Sequence, residues 1–145
     1  MYSIEKMSPD KKISEAKCCP ILVVDDNLPM RKALAETLKF LHYKTMEAGN
    51  GLEALKIIEK SVVKFSDDPP EKLLLIICDL SMPVMDGREL FLELAARGIK
   101  VPFVILSGYM ASSDLEDLKN RGLAGWLQKP ADILQISSLL EKILQ

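Results

Sequence analysis

The sequence predicts an α/β fold in which a parallel five-stranded sheet is covered by helices on both sides. Short apolar runs alternate along the chain with segments of helical periodicity, and no hairpin signal joins two of the runs. Three of the runs are apolar almost without interruption, which is typical of parallel strands because both of their faces are buried. Open sheets of this kind bind ligands beyond the carboxyl ends of their strands.

The strands are predicted from the apolar runs. They cover residues 21–25, 44–47, 73–78, 101–106 and 124–127. The second is the weakest, since only Met46 in it is apolar. Residues 61–72 contain adjacent aspartates and adjacent prolines, so most of this segment is predicted to be loop.

Five helices are predicted, each from a polar residue that caps helices and an apolar stripe that follows it. Their predicted starts are Asn27, Asn50, Asp86, Ser112 or Ser113, and Asp132. At Asn50 and Asp86 a glutamate follows three residues later, as in a capping box. The inward faces predicted for the first and last helices are Met30, Leu34, Leu38 and Leu41, and Ile133, Ile136, Leu140 and Ile143.

Length and composition indicate one domain, formed by residues 20–145 after an N-terminal extension of residues 1–19. With a net charge of −2, the chain has no overall positive field that would favour nucleic acid or anionic lipid. It has no apolar run of roughly 18 residues and no signal-peptide pattern, so membrane insertion is not expected. Its three cysteines do not form a disulfide framework, which favours a cytoplasmic location.

Three carboxylates follow two of the predicted strands. Asp25 and Asp26 close the first apolar run, and Asp79 closes the third. If these runs are neighbouring parallel strands, the three side chains converge at one edge of the sheet. Like charges this close raise each other's pKa unless a positive charge lies between them. Carboxylate oxygens that are partly open to water are the ligands that Mg²⁺ prefers, so the sequence predicts a magnesium site.

Further motifs follow the later strands in chain order. They are the segment from Asp79 to Gly87, Ser107-Gly108 after the fourth strand, and Lys129-Pro130 after the fifth. Together with Val23-Val24-Asp25-Asp26, these motifs resemble the receiver domain of two-component response regulators, of the kind found in chemotaxis regulators. The resemblance covers about residues 20–145. It implies a flavodoxin-like, doubly wound sheet with strand order 2-1-3-4-5 and five helices.

The resemblance also implies roles for individual residues. Asp79 corresponds to the phosphoacceptor, a carboxylate nucleophile. Asp25 and Asp26, with Asp79 and the backbone carbonyl of Ser81, correspond to the ligands of a Mg²⁺ ion.

Lys129 corresponds to the lysine that pairs with the acceptor and then with its phosphoryl group. Pro130 would follow a cis peptide bond. Ser107 corresponds to a switch hydroxyl that bonds the phosphoryl group, and Trp126 to a switch aromatic that is more often Tyr or Phe. Tyr109 is either a residue that tunes phosphoryl lifetime or a solvent-facing side chain.

The implied function is a signalling receiver in a phosphorelay. A sensor histidine kinase or a histidine phosphotransfer protein would donate the phosphoryl group, because His42 has no histidine module around it. The chain would not be an enzyme beyond self-phosphorylation and slow autodephosphorylation. Phosphorylation would change the surface of the last two helices and strand five, which an output protein or domain, or a second copy in a homodimer, would bind. No direct contact with nucleic acid is expected.

Three other interpretations of the same residues have less support. An aspartyl-nucleophile phosphohydrolase usually has a second Asp two residues after the nucleophile, where this chain has Ser81. A flavin or dinucleotide carrier would place a phosphate where Asp25 and Asp26 would repel it. A pseudo-receiver would lack the acceptor, a metal ligand or the lysine, and this chain has all three. Both a stand-alone regulator and the receiver module of a hybrid sensor kinase fit the sequence.

Overall fold

A computed structural model describes residues 19–62 and 72–144 of the chain. Its strands are β1 (Ile21–Val24), β2 (Thr45–Ala48), β3 (Leu75–Asp79), β4 (Phe103–Ser107) and β5 (Gly125–Gln128). Its helices are α1 (Leu28–Phe40), α2 (Gly51–Val62), α3 (Gly87–Ala96), α4 (Ser112–Asn120) and α5 (Ile133–Leu144). All strand pairs are parallel, in the order β2-β1-β3-β4-β5. The predicted fold class is therefore confirmed.

The core lies on both faces of the sheet, because alternate residues of the central strands point to opposite sides. On one face, β1, β3 and β4 pack against α2, α3 and α4. On the other face, the intervening residues of the same strands pack against α1 and α5. This two-sided burial explains why the central strands are apolar at consecutive positions.

Several strand boundaries differ by one or two residues from those predicted. β3 begins at Leu75 and β4 at Phe103, although the apolar runs start two residues earlier. Leu73 is nevertheless 8% exposed, so it belongs to the core without belonging to the strand. An apolar run indicates which residues are buried and not which residues pair with a neighbouring strand. Such a run can therefore begin before the hydrogen-bonded strand does. The predicted N-terminal extension lies outside the described residues, except for Cys19.

The predicted caps form at four helices. The carboxylate or amide oxygens of Asn27, Asn50, Asp86 and Asp132 each accept a hydrogen bond from the backbone N–H three residues later. At α4 the helix begins at Ser112, as predicted, but its cap residue is Ala111, which offers no side-chain bond. Helix α2 continues to Val62, so residues 61 and 62 are helical and not loop as predicted. The rest of that predicted loop, except for residue 72, lies outside the described residues.

Two predicted core positions were wrong. Met30 in α1 is 41% exposed and Ile133 in α5 is 37% exposed. Both lie in the first turn of their helix, at the carboxyl edge of the sheet. Within the described residues, no helix is long and apolar enough to cross a bilayer.

Candidate functional site

The three predicted carboxylates meet at the carboxyl edge of the sheet. β1 lies beside β3 with Val24 opposite Cys78, so the residues that follow the two strands are neighbours. One carboxylate oxygen from each of Asp25, Asp26 and Asp79 lies within 4.8 Å of the other two. Asp25 and Asp79 are buried, whereas Asp26 is exposed.

Lys129 supplies a positive charge to this cluster. Its Nζ lies 3.0 Å from Oδ1 of Asp79 and 3.6 Å from Oδ2 of Asp25. The lysine reaches this position because its backbone N–H donates to the carbonyl of Ser107, which continues the pairing of β5 with β4. The following Lys129–Pro130 peptide bond is cis.

The surroundings of Asp79 disfavour the ionised form of its carboxyl group. Burial raises the pKa of Asp79 above its ordinary value, and the neighbouring charge of Asp25 raises it further. The hydrogen bond and charge of Lys129 oppose this effect, as does a backbone hydrogen bond from Ser81, but the pKa stays raised. A second cation near Asp79 would therefore stabilise the ionised form.

The donor set fits a hard divalent cation. Three carboxylates provide oxygen ligands, and the exposure of Asp26 leaves the cluster open to water on one side. Mg²⁺ usually keeps several waters and binds through one or two carboxylates in such sites. The carbonyl of Ser81, two residues after Asp79, stays a predicted further ligand.

The structure places the predicted switch hydroxyl in its own loop. Ser107 Oγ donates to the backbone carbonyl of Tyr109 at 2.7 Å and accepts from the Tyr109 N–H at 3.3 Å. Ser107 ends β4 beside Asp79, since Leu106 is the residue opposite Asp79. The ring of Tyr109 faces solvent, with 78% of the residue exposed.

Trp126 lies in β5 opposite Ile105 of β4 and is partly buried. Its ring packs against the core on the α4 side of the sheet. Among the described residues, the indole Nε1 has no hydrogen-bond partner although the atom itself is buried. A buried donor without a partner is costly, so this indole is in an unfavourable environment.

Two contacts at the site were not predicted from the sequence, although Gly87 belongs to one of the predicted motifs. A Cβ on Gly87 would lie 2.5 Å from the carbonyl oxygen of Asp79, so only glycine allows the loop to pass this close. Arg31 Nη1 donates to the backbone carbonyl of Asp25 at 2.9 Å. The Asp86-Gly87 pair in the sequence could have indicated the close approach of Gly87. Nothing in the sequence indicated that Arg31, one of several charged residues in α1, would bond the Asp25 carbonyl.

Comparison with known proteins agrees with this geometry. The family model for the response regulator receiver domain matches residues 21–141. The chain is 30% identical over 124 residues to sporulation initiation phosphotransferase F of Bacillus subtilis. This match covers 86% of the chain and 92% of that protein. The chain is also 27% identical over 133 residues to the sensor histidine kinase RcsC of Escherichia coli. This match covers 92% of the chain but only 13% of the kinase.

A solved structure shows the same likeness in three dimensions. The chemotaxis protein CheY4 of Vibrio cholerae superposes with a TM-score of 0.73 at 26% identity. The match covers 86% of this chain and 98% of that one. Because the family model spans most of the chain and the motifs lie at the matching strand ends, the chain belongs to the response regulator receiver domains of two-component systems.

Proposed function

We propose that Asp79 accepts a phosphoryl group from a phosphohistidine of a partner protein, in a reaction that needs Mg²⁺. The observation that carries this proposal is the geometry around Asp79. Its carboxylate is 3.0 Å from the Lys129 amine and shares one pocket with two further carboxylates. A nucleophile, a cation and metal ligands are the groups that phosphoryl transfer requires.

In the proposed reaction, an Asp79 carboxylate oxygen attacks the phosphorus as the bond from phosphorus to the histidine nitrogen breaks. Lys129 turns from the carboxylate to an oxygen of the transferred group and offsets its charge. Asp25, Asp26, Asp79 and the carbonyl of Ser81 would hold Mg²⁺, which would supply positive charge to neutralise the phosphoryl oxygens. Water then attacks the phosphorus of the aspartyl phosphate, which releases inorganic phosphate and restores the Asp79 carboxylate. The intrinsic activities proposed for the chain are self-phosphorylation and this slow autodephosphorylation.

The partner that donates the phosphoryl group is proposed to be a sensor histidine kinase or a histidine phosphotransfer protein. Around the site, several apolar side chains in different loops and first turns are more than one-third exposed: Leu28, Met30, Val84 and Tyr109. Exposed apolar residues beside a reactive group are suited to contact a protein donor. The relatives include both a small phosphotransferase and a large kinase, so a stand-alone regulator and a hybrid-kinase module are both consistent with the matches.

The output is proposed to be a changed surface on α4, β5 and α5. Ser107 would leave the Tyr109 carbonyl to bond the phosphoryl group, and Trp126 would change its packing in response. An output protein or domain, or a second copy of the chain, would recognise that surface, and the exchange would take place in the cytoplasm. Because Trp126 is the only tryptophan, its fluorescence should change when beryllofluoride and Mg²⁺ are added. An unchanged spectrum at saturation would remove Trp126 from the switch.

Phosphorylation by acetyl phosphate tests the acceptor. After incubation with acetyl phosphate and Mg²⁺, intact-mass spectrometry of the wild-type chain should show one added phosphoryl group. Acid should remove this group, as expected for an acyl phosphate. Asp79→Asn should abolish the addition. Asp86→Asn is the matched control, since asparagine also caps helices and Asp86 lies outside the cluster. Full labelling of Asp79→Asn would mean that another residue is the acceptor.

A further inference from the structure

Arg31 is the least exposed arginine of those found in ion pairs, and it contacts the loop that carries the metal ligands. Only 17% of its side chain is exposed. Its Nη1 donates to the backbone carbonyl of Asp25 at 2.9 Å, and its Nε donates to Oε1 of Glu47 in β2 at 3.0 Å. One planar guanidinium therefore joins the loop after β1 to the edge strand β2.

The backbone of Asp25 is bonded on both sides. Its N–H donates to the carbonyl of Ala48, and its carbonyl accepts from Arg31. Its side chain is also fixed, because Oδ1 accepts from the backbone N–H of Asn27 at 2.9 Å. With these bonds, the peptide plane between Asp25 and Asp26 has no freedom to rotate without breaking the contact to Arg31.

Asp26 depends on that peptide plane. Its carboxylate is exposed and makes no hydrogen bond or ion pair within the described residues. The direction in which it leaves the backbone is therefore set by the Asp25–Asp26 peptide and not by contacts of its own. Yet its oxygen must lie within 4.8 Å of oxygens of Asp25 and Asp79 for the three to act together.

We propose that Arg31 is a positioning residue for the metal centre: by holding the Asp25 carbonyl, it aims the carboxylate of Asp26 at the cation. This inference rests on the proposed function, which assigns Mg²⁺ to these carboxylates. Groups that orient metal ligands typically change metal affinity by roughly 10- to 100-fold when removed.

The neighbouring Lys32 provides a matched control. Its Nζ bonds the second oxygen of the same Glu47 at 2.9 Å, but it has no contact with the Asp25 carbonyl and 60% of its side chain is exposed. The loss of a positive charge and the loss of positioning change the Mg²⁺ affinity in opposite directions. Removing either positive charge makes the surroundings more negative, which favours binding of a divalent cation. Only the loss of positioning weakens binding.

The experiment measures Mg²⁺ dissociation constants by calorimetry on the full chain. Arg31→Met should weaken Mg²⁺ binding by about tenfold or more, whereas Lys32→Met should leave it within about twofold of wild type or strengthen it. Arg31→Lys should also weaken binding, because a single ammonium cannot replace both contacts of the guanidinium fork. In the metal-free Arg31→Met protein, the amide resonances of Asp26 and Asn27 should shift while those of β4 and β5 stay in place.

The outcomes separate this inference from the proposed function. Absence of Mg²⁺ binding by the wild-type chain would defeat the metal assignment itself. Wild-type binding together with unchanged or tighter binding by Arg31→Met would overturn only the role of Arg31. Equal weakening by Arg31→Met and Lys32→Met would overturn it too, since both would then act through Glu47. If Arg31→Met does not fold, Arg31→Lys carries the same test, and wild-type affinity in that variant defeats the proposal.

Discussion

At the scale of the residue, the charge of Asp79 is the feature on which the site depends. Burial raises its pKa, and Lys129 only partly offsets that effect. In the metal-free protein the folded state therefore binds the Asp79 proton more tightly than the unfolded chain does. The contribution of this group to stability falls as pH rises through the interval between its unfolded pKa and its raised folded pKa. At neutral pH the ionised carboxylate is a source of instability.

Asp79→Asn should accordingly raise the Tm of the metal-free protein at neutral pH, because the amide has the shape of the carboxylic acid without its charge. For a domain of this size, about 1 kcal/mol corresponds to a rise of roughly 2–4 °C. The gain should shrink as pH is lowered through the range in which wild-type Asp79 takes up its proton. Scanning calorimetry in the presence of a chelator measures both effects. A lower Tm for Asp79→Asn at neutral pH would show that the attraction of Lys129 outweighs burial.

At the scale of the element, the connection between β3 and α3 holds Asp79, the proposed acceptor. Val84 has a φ of 71°, which is strained for a β-branched residue, and Asp86 caps α3. Gly87 then starts the helix in contact with the backbone of Asp79, and its N–H donates to the carbonyl of Leu80. This arrangement packs the first turn of α3 directly against the end of β3.

Gly87→Ala should therefore destabilise the protein by about 1–3 kcal/mol, since its methyl group would overlap the Asp79 carbonyl unless the backbone moved. It should also slow phosphorylation by acetyl phosphate, because the displaced backbone carries Asp79, the proposed acceptor. Gly108→Ala is the matched control: a Cβ there has nothing within 4 Å. Urea unfolding and phosphorylation rates compare the two variants. Similar small losses in both would mean that the close approach at Gly87 is easily relieved.

At the scale of the whole molecule, the site joins parts of the chain that are far apart in sequence. The order β2-β1-β3-β4-β5 places the ends of β1 and β3 side by side, with β4 and β5 beyond them. Acidic side chains follow β1 and end β3, and Lys129 follows β5. A cation that binds the carboxylates therefore offsets the repulsion between the acidic side chains at the ends of β1 and β3, as the amine of Lys129 also does.

Mg²⁺ should stabilise the folded chain, because the unfolded chain does not hold the three carboxylates together. The free energy of unfolding should rise by about 2.7 kcal/mol at a concentration 100 times the dissociation constant. Asp26→Asn should reduce the Mg²⁺-induced rise in Tm at a fixed concentration. Asp114→Asn, which removes an exposed carboxylate in the first turn of α4, should not. Identical shifts for the two variants would place the cation outside the predicted cluster.

Much of the fold could be predicted because its signals are local. Caps such as Asn27 and Asp86 act within three residues, and they formed as predicted. The exposure of Met30 was not predictable in this way, because it depends on how α1 packs against the rest of the fold. The bond from Ser107 Oγ to Tyr109 likewise depends on a choice of rotamer that periodicity does not encode.

By itself, the sequence predicted which residues form the candidate site, and it determined the edge of the sheet that they occupy, because those residues follow the strand ends in chain order. Only the tertiary structure decided the contacts: the 3.0 Å approach of Lys129 to Asp79, the close passage of Gly87 and the bond of Arg31 to the Asp25 carbonyl. The physical reason is that burial patterns repeat with local secondary structure, whereas hydrogen bonds between remote side chains and backbone depend on how whole elements pack.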